Sequence, residues 1–250
     1  MCRWLALLSS QGRLAAPSLR RRDRPGVTPP DDAGADQLGA GEYVPEDRRL
    51  EALRDAAAGC RGCDLWQRAT RTVFGEGNPQ ALIMLVGEQP GDREDLAGHP
   101  FVGPAGRLLD EALERAGIDR KLVYVTNAVK HFSWTPSRGK RRIHKRPTER
   151  QIVACRPWLV AEIDAVQPRV VVALGATAAR ALIGPDVRVS VDRGRTFRGL
   201  NGSTVVPTVH PSSILRLIDQ PEYEGLMSVF VRDLKAATQA RSGRPTSRSR

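Results

Sequence analysis

The sequence predicts an α/β fold: three layers, α/β/α, around a central, mostly parallel four-stranded sheet. Two observations carry that expectation. Short continuous apolar runs at 81–86, 122–127, 170–174 and 205–209 have the signature of strands buried on both faces. Segments with helical spacing of apolar residues lie between them, and strands that alternate with helices pair in parallel. Aromatic residues make up only 5% of the chain, so the core is expected to be built from Val, Leu, Ile and Ala.

In chain order, residues 1–45 hold clusters of Arg, Pro, Gly and Asp without periodicity and are expected to be a disordered arm. Its first 22 residues carry no acidic side chain and a short apolar run at 4–8. A transit peptide has that composition, but an over-long start or a disordered arm suits it better. Residues 46–58 have a helical pattern and lead into Cys60-Arg-Gly-Cys63. After the first strand come a helix at 103–116 and the second strand. A long amphipathic helix follows at 148–166, with Thr148 placed to cap it. The third strand is followed by Gly175 and a helix at 176–183, and the fourth by a closing helix at 223–237. Residues 46–238 are thus expected to form one domain, with a disordered basic tail at 239–250.

The formal net charge of +11 on 250 residues suits a polyanionic partner, since each Lys or Arg that neutralises a phosphate releases a counterion. Charge alone does not separate nucleic acid from an anionic membrane or simple solubility. No run of about 18 apolar residues occurs, so no membrane partner is expected, and the reading is a cytoplasmic, nucleoid-associated protein. The four cysteines, Cys2, Cys60, Cys63 and Cys155, do not make a disulfide framework. A close Cys-x-x-Cys pair with a distant third cysteine reads better as a metal or cluster site in a reducing compartment.

In open parallel sheets, ligands sit beyond the carboxyl ends of the strands. Here those ends run into Gly87-Glu88-Gln89-Pro90-Gly91-Asp92, Asn127, Gly175-Ala176-Thr177 and His210-Pro211-Ser212-Ser213. One rim thus collects a carboxylate, two amides and a histidine. Taken in order with Pro100-Phe101-Val-Gly-Pro-Ala-Gly106, Val125-Thr-Asn-Ala-Val-Lys130 and His210-Pro-Ser-Ser-Ile-Leu-Arg216, this set resembles the uracil-DNA glycosylase superfamily. It is most similar to the iron–sulfur (family 4-like) branch. Lys140-Arg-Arg-Ile-His-Lys145 is similar to the insertion that marks the UdgX subgroup, and Gln89 with Asp92 supports that assignment. The resemblance covers residues 50–238.

The resemblance implies an enzyme that extrudes uracil from DNA into a pocket and cleaves its glycosidic bond. Asn127 would meet the pyrimidine edge with a donor and an acceptor, and Phe101 would stack on the ring. The plainer readings are a turn-capping amide and a core aromatic. Gln89 and Asp92 would line the same pocket. His210 would donate to a uracil carbonyl as negative charge develops. Glu88 would favour the cationic sugar or orient a nucleophile; its plainer reading is a charge at a helix N-terminus. Ser212, Ser213 and Arg216 would reach flanking phosphates. The segment 138–146 holds six basic residues around His144, and Lys140, Arg141, Arg142 and Lys145 are read as phosphate contacts. In the UdgX subgroup the histidine of this loop attacks the anomeric carbon and stays bonded to DNA. That role would fall to His144, with Glu88 as its orienter.

For the metal site, the resemblance adds His131, where the family has a cysteine after the strand-end Asn-x-x-Lys. Cys60, Cys63, Cys155 and His131 would then hold a 4Fe–4S cluster with a structural role; the same donor set would also suit zinc. Uracil-containing DNA, single- or double-stranded, is the expected partner. A monomer is the default, because every site comes from one chain. Two other functions fit less well. An ordinary turnover glycosylase would need Asn127 and His210 but not His144 as nucleophile. A non-catalytic DNA-damage-binding module would tolerate loss of Glu88 or His210. Gly87-x-x-x-Gly91 is not a full dinucleotide or Walker fingerprint.

Overall fold

The computed structural model describes residues 39–137, 139 and 141–240. The arm as far as residue 38, the tail from 241, Cys2 and Lys140 lie outside the described residues. A turn of 3₁₀ helix at Ala40–Tyr43 buries Ala40, so packed residues occur before position 46.

Helix α1 (Leu50–Ala58) turns its Leu53 and Ala57 inward. Strands β1 (Glu76–Gly77) and β2 (Ile83–Gly87) follow, then a short α2 (Asp92–Ala97) and α3 (Pro104–Ala116), which begins with Pro at its first position and ends on the left-handed Gly117. Next come β3 (Val123–Asn127) and a hairpin of two short strands, β4 (Trp134–Pro136) and β5 (Arg142–His144). Helix α4 (Glu149–Val166) is capped as its sequence predicts: the Thr148 hydroxyl accepts from the Gln151 N–H at 3.3 Å, and the Gln151 side chain accepts from the Thr148 N–H at 2.8 Å. Such a cap contributes about 1 kcal/mol. The chain continues through β6 (Val170–Leu174), α5 (Ala176–Leu182), α6 (Val189–Asp192), β7 (Phe197–Arg198), β8 (Thr204–Thr208), α7 (Pro211–Leu215) and α8 (Tyr223–Ala240).

The main sheet runs β1-β3-β2-β6-β8-β7. Its central four strands are parallel and are the four read from the sequence. The expectation of four strands is corrected to six by two antiparallel edge strands of two residues each, too short to show a period. Alternation along the strands feeds two cores. Met84, Val86, Tyr124, Val171, Ala173 and Val205 face one side, with α1, α4 and α5. Ile83, Leu85, Val125, Val172, Leu174 and Val206 face the other, against α3, α7 and α8. That is the three-layer α/β/α arrangement. Burial on both faces explains why these strands read as unbroken apolar runs.

The second correction concerns the basic segment 138–146. Residues 138–146 read as a solvated basic loop, and the structure instead places Arg142–His144 in β5, which pairs with β4 so that Trp134 meets His144 and Pro136 meets Arg142.

Candidate active site

The carboxyl ends of β2, β3, β6 and β8 open onto two adjoining cavities. One, about 410 Å³, is lined by Gly91, Glu94, Phe101, Ala105 and Asn127. The other, about 440 Å³, is lined by Glu88, Arg146, Gly175, Ala176, Val189 and Ser213. Gln89, His144, His210, Ser212 and Arg216 line both, so they form a mouth shared by the two cavities.

The Phe101–Asn127 end is shaped by bare backbone. A Cβ on Gly87 would stand 2.3 Å from Asn127 Oδ1 and 2.8 Å from Phe101 Cζ, so only glycine at the β2 end lets the amide and the ring sit side by side. Phe101 itself has φ 57°, and its carbonyl lies where a Cβ on Gly106 would come within 1.6 Å. Helix α3 therefore starts tight under the Phe101 turn. Glu94 clamps the two loops that frame this end, accepting from Gly103 N at 2.7 Å and Gly91 N at 3.1 Å. Sequence reasoning passed over Glu94. The available signal was its place three residues after Gly91, where a capping-box carboxylate sits.

His210 precedes α7, where its ring caps the helix. Its Nδ1 accepts from the Ser212 N–H at 3.1 Å and lies 2.8 Å from the Ser212 hydroxyl. A backbone N–H can only donate, so in the neutral ring the proton belongs on Nε2. Burial lowers the pKa of His210 to about 4, with His144 and Arg216 pushing the same way. The ring is a neutral Nε2–H donor at pH 7.

His144, at the end of β5, is half exposed, with its Nε2 3.7 Å from Glu88 Oε1. The Gln89 amide sits behind it. Gln89 Oε1 accepts from Ser133 N at 3.1 Å, which fixes the amide's orientation. Its NH₂ then faces the carbonyls of Ser133 at 3.2 Å and Lys145 at 3.0 Å, and His144 Nε2 at 2.9 Å. An amide NH₂ has no lone pair to offer, so the His144 Nε2 facing it is the unprotonated ring nitrogen, sharing the two N–H donors with the two carbonyls. Burial also lowers the pKa of His144, against the opposing pull of Glu88, and so favours the neutral ring. Glu88 is steadied on its other side by the Thr177 hydroxyl, which donates to Oε2, and by Arg146 Nε at 3.6 Å. Neither Thr177 nor Arg146 was singled out from the sequence. Thr177 lies three residues past the β6 end, on the same rim.

The structure thus brings Glu88, Gln89, Phe101, Asn127, His144, His210, Ser212, Ser213 and Arg216 to one pair of cavities. Asp92 and Arg142 are placed elsewhere. Arg142 Nε donates to Asp92 Oδ1 at 2.6 Å, and its guanidinium also binds Asp95 and the Thr70 hydroxyl. Asp92 therefore anchors the hairpin instead of lining the pocket, and Arg142 is engaged within the protein and not free for phosphate. Arg141 and Lys145 remain exposed on the hairpin.

Cys60, Cys63 and Cys155 are buried, free thiols. Trp158 Nε1 and Gly62 N approach Cys60 Sγ at 3.2 and 3.5 Å, and Lys130 N approaches Cys155 Sγ at 3.3 Å. Burial pushes the Cys155 thiol up to about 12, with Lys130 opposing. Buried sulfurs met by N–H donors suit thiolates bound to a metal group, because such donors stabilise charge on sulfur. His131 does not join them: its Nε2 lies 2.8 Å from the Thr72 hydroxyl, and burial lowers its pKa to about 4. No group of three or more potential ligands stands at metal-binding spacing among the described residues. The burial of the three sulfurs and the N–H donors at Cys60 and Cys155 suit thiolate ligands by their chemistry, although neither the sulfurs nor His131 stand at ligating spacing here.

Comparison with known proteins agrees with this geometry. Residues 74–235 match the family model of the uracil DNA glycosylase superfamily. A type-4 uracil-DNA glycosylase of Thermotoga maritima is 40% identical over 168 residues, covering 67% of this chain and 83% of that protein. One from Sulfurisphaera tokodaii is 36% identical over 174 residues, covering 66% and 76%. A type-5 uracil-DNA glycosylase of Pyrobaculum aerophilum is 33% identical over 153 residues, covering 54% and 62%. With a rim of this composition on a sheet of this order, the chain belongs to the uracil DNA glycosylase superfamily.

Proposed function

We propose that this protein excises uracil from DNA and becomes covalently joined to the resulting sugar through His144. The observation that carries the covalent step is the position of His144. Its Nε2 lone pair stands at the mouth shared by both cavities, against Gln89 and 3.7 Å from Glu88.

Uracil flipped into the Phe101–Asn127 end would stack on Phe101 and present its edge to Asn127, while the sugar lies at the mouth. As the glycosidic bond breaks, its electron pair goes to uracil, and the His210 Nε2–H donates to the carbonyl oxygen that gains charge. The Glu88 carboxylate favours the cationic sugar. His144 Nε2 then gives its lone pair to the anomeric carbon, leaving an imidazolium that faces Glu88 and loses its Nδ1 proton to solvent. The product is an N-linked sugar with no good leaving group, so one turnover ends the reaction. The likeness of 140–145 to the UdgX insertion supports the same reading. The type-4 relatives support the excision step but say nothing of an adduct.

Cys60, Cys63 and Cys155 would hold a 4Fe–4S cluster, with His131 completing the set once its ring turns from Thr72. Such a cluster would supply a structural tether between the Cys60 loop and α4. Iron and acid-labile sulfide in the purified protein, measured against zinc, check that assignment. Uracil-containing DNA is the proposed partner, bound by one copy of the chain. Among the described residues, no helix is long and apolar enough to cross a membrane.

The test of the covalent step is a labelled uracil-containing oligonucleotide run on a denaturing gel beside His144→Ala. A boiling-resistant protein–DNA band that the variant lacks is expected. Abasic DNA without such a band overturns the covalent step and leaves a turnover glycosylase. Neither product overturns excision itself and favours a DNA-binding module.

A further inference from the structure

Beneath the rim lies a buried charge pair that the reaction above does not use. The side chains of Lys130 and Glu162 are 1% and 0% exposed. All three donors of the ammonium are committed. One goes to Glu162 Oε2, one to the Thr126 hydroxyl at 2.7 Å, and one to the carbonyl oxygen of Asn127 at 2.7 Å. Glu162 Oε1 in turn accepts from Gly75 N, the Tyr124 hydroxyl and the Thr126 hydroxyl, at 2.9–3.0 Å.

We infer that Lys130 and Glu162 are positioning residues for uracil recognition, holding the backbone of Asn127 so that its amide meets the pyrimidine edge at a fixed angle. Three arguments support this. First, a buried ion pair is seldom the most stable filling for such a space, since apolar side chains of similar volume serve equally well or better. Stability alone therefore gives little reason for the pair. Second, the Lys130 ammonium bonds the backbone of the residue proposed to read the base, just where β3 and its ladder end. Third, the turn it closes serves both substrate-facing strands: Ala128 N donates to Gly87 O at 2.9 Å, and Val129 N to Glu88 O at 3.0 Å. Cys155 and Glu162 lie seven residues apart on one face of α4, and both touch Lys130. One helix thus grips the turn through its N–H and its side chain. A site that discriminates by hydrogen bonds loses selectivity when its donor and acceptor can swing.

The inference rests on Asn127 as the uracil reader, so the experiment includes Asn127→Ala. The main variant replaces the pair together, Lys130→Met with Glu162→Leu, leaving no orphaned charge. Three quantities are read: thermal unfolding, the dissociation constant of free uracil by ligand-observed NMR, and single-turnover uracil release from an oligonucleotide. The double variant leaves Gly75 N and the Tyr124 and Thr126 hydroxyls without their acceptor. It should therefore unfold at a lower temperature than the parent while remaining folded under assay conditions and keeping its affinity for uracil-free DNA. Its uracil affinity should fall by about tenfold or more, with release slowed to match. A folded double variant that binds and releases uracil within about twofold of the parent overturns the inference and makes the pair a packing feature. If the double variant does not fold, Glu162→Gln decides. That variant keeps the acceptor for Gly75 and Tyr124 while weakening the grip on Lys130, and unchanged uracil affinity overturns the inference equally. If Asn127→Ala itself retains uracil affinity, the recognition role of Asn127 fails instead.

Discussion

The protonation states of two histidines follow from single hydrogen bonds. His210 Nδ1 faces the Ser212 N–H, so protonating the ring would set two donors against each other, and burial already holds its pKa near 4. A ring whose folded pKa lies below its unfolded value stays neutral as pH falls, until the lowered value is reached. Single-turnover uracil release should therefore be flat from about pH 8 down to about pH 5.5 and fall only toward about pH 4. A midpoint near the ordinary histidine value of about 6.5 would mean that His210 is solvated and is not the preorganised donor. His144 is also shifted downward by burial, so adduct yield should not decline between about pH 8 and about pH 6.5. At this scale the sequence was legible where chemistry follows a strand end, as with Glu88, Gln89, Asn127 and His210. The same logic did not reach Lys130 or Glu162. A lysine after a strand and a glutamate in a helix are ordinary surface residues until the fold buries them.

Among the elements, the β4–β5 hairpin decides whether His144 reaches the site. Its strands have three residues each, and its basic composition hides any alternation, so it read as a loop. What holds it is Arg142, bound to Asp92, Asp95 and Thr70 and stacked near Phe132 and Trp134. The buried Asp95 is left short of a partner when Arg142 is removed. Arg142→Ala should cost about 2–4 kcal/mol of stability in urea unfolding. Adduct yield should fall by about tenfold or more, while uracil release loses less, because His210 and Asn127 sit on other elements. Equal losses in both would mean that the hairpin shapes the whole pocket and not His144 alone. Helix α3 teaches the opposite lesson. Gly106 and the Phe101 turn are six positions apart at most, so a local motif in the sequence already contained that geometry.

Taken as a whole, the molecule carries a formal charge of +11, and the exposed cations of the site stand at its mouth and on its hairpin. Affinity for uracil-free DNA should fall linearly on a log–log plot against salt. Arg216→Ala and Lys145→Ala should each reduce that slope by about one and weaken binding uniformly across sequences. Slopes unchanged in both variants would route the phosphate backbone away from this rim.

The sequence by itself determined the layer architecture and the rim. Apolar runs, glycines after strands and helix caps act within a few residues, and a parallel sheet places strand ends together whatever the rest of the chain does. Only the tertiary structure decided which rim residues face substrate. Gln89 meets Ser133 and Lys145, 44 and 56 residues further on, and Arg142 takes Asp92 away from the pocket across 50 residues. Likewise His131 meets the Thr72 hydroxyl across 59 residues, and Lys130 finds Glu162 beneath Asn127. Each of these depends on which buried polar group finds a partner first. That competition is settled by packing between distant segments, where spacing along the chain carries no information.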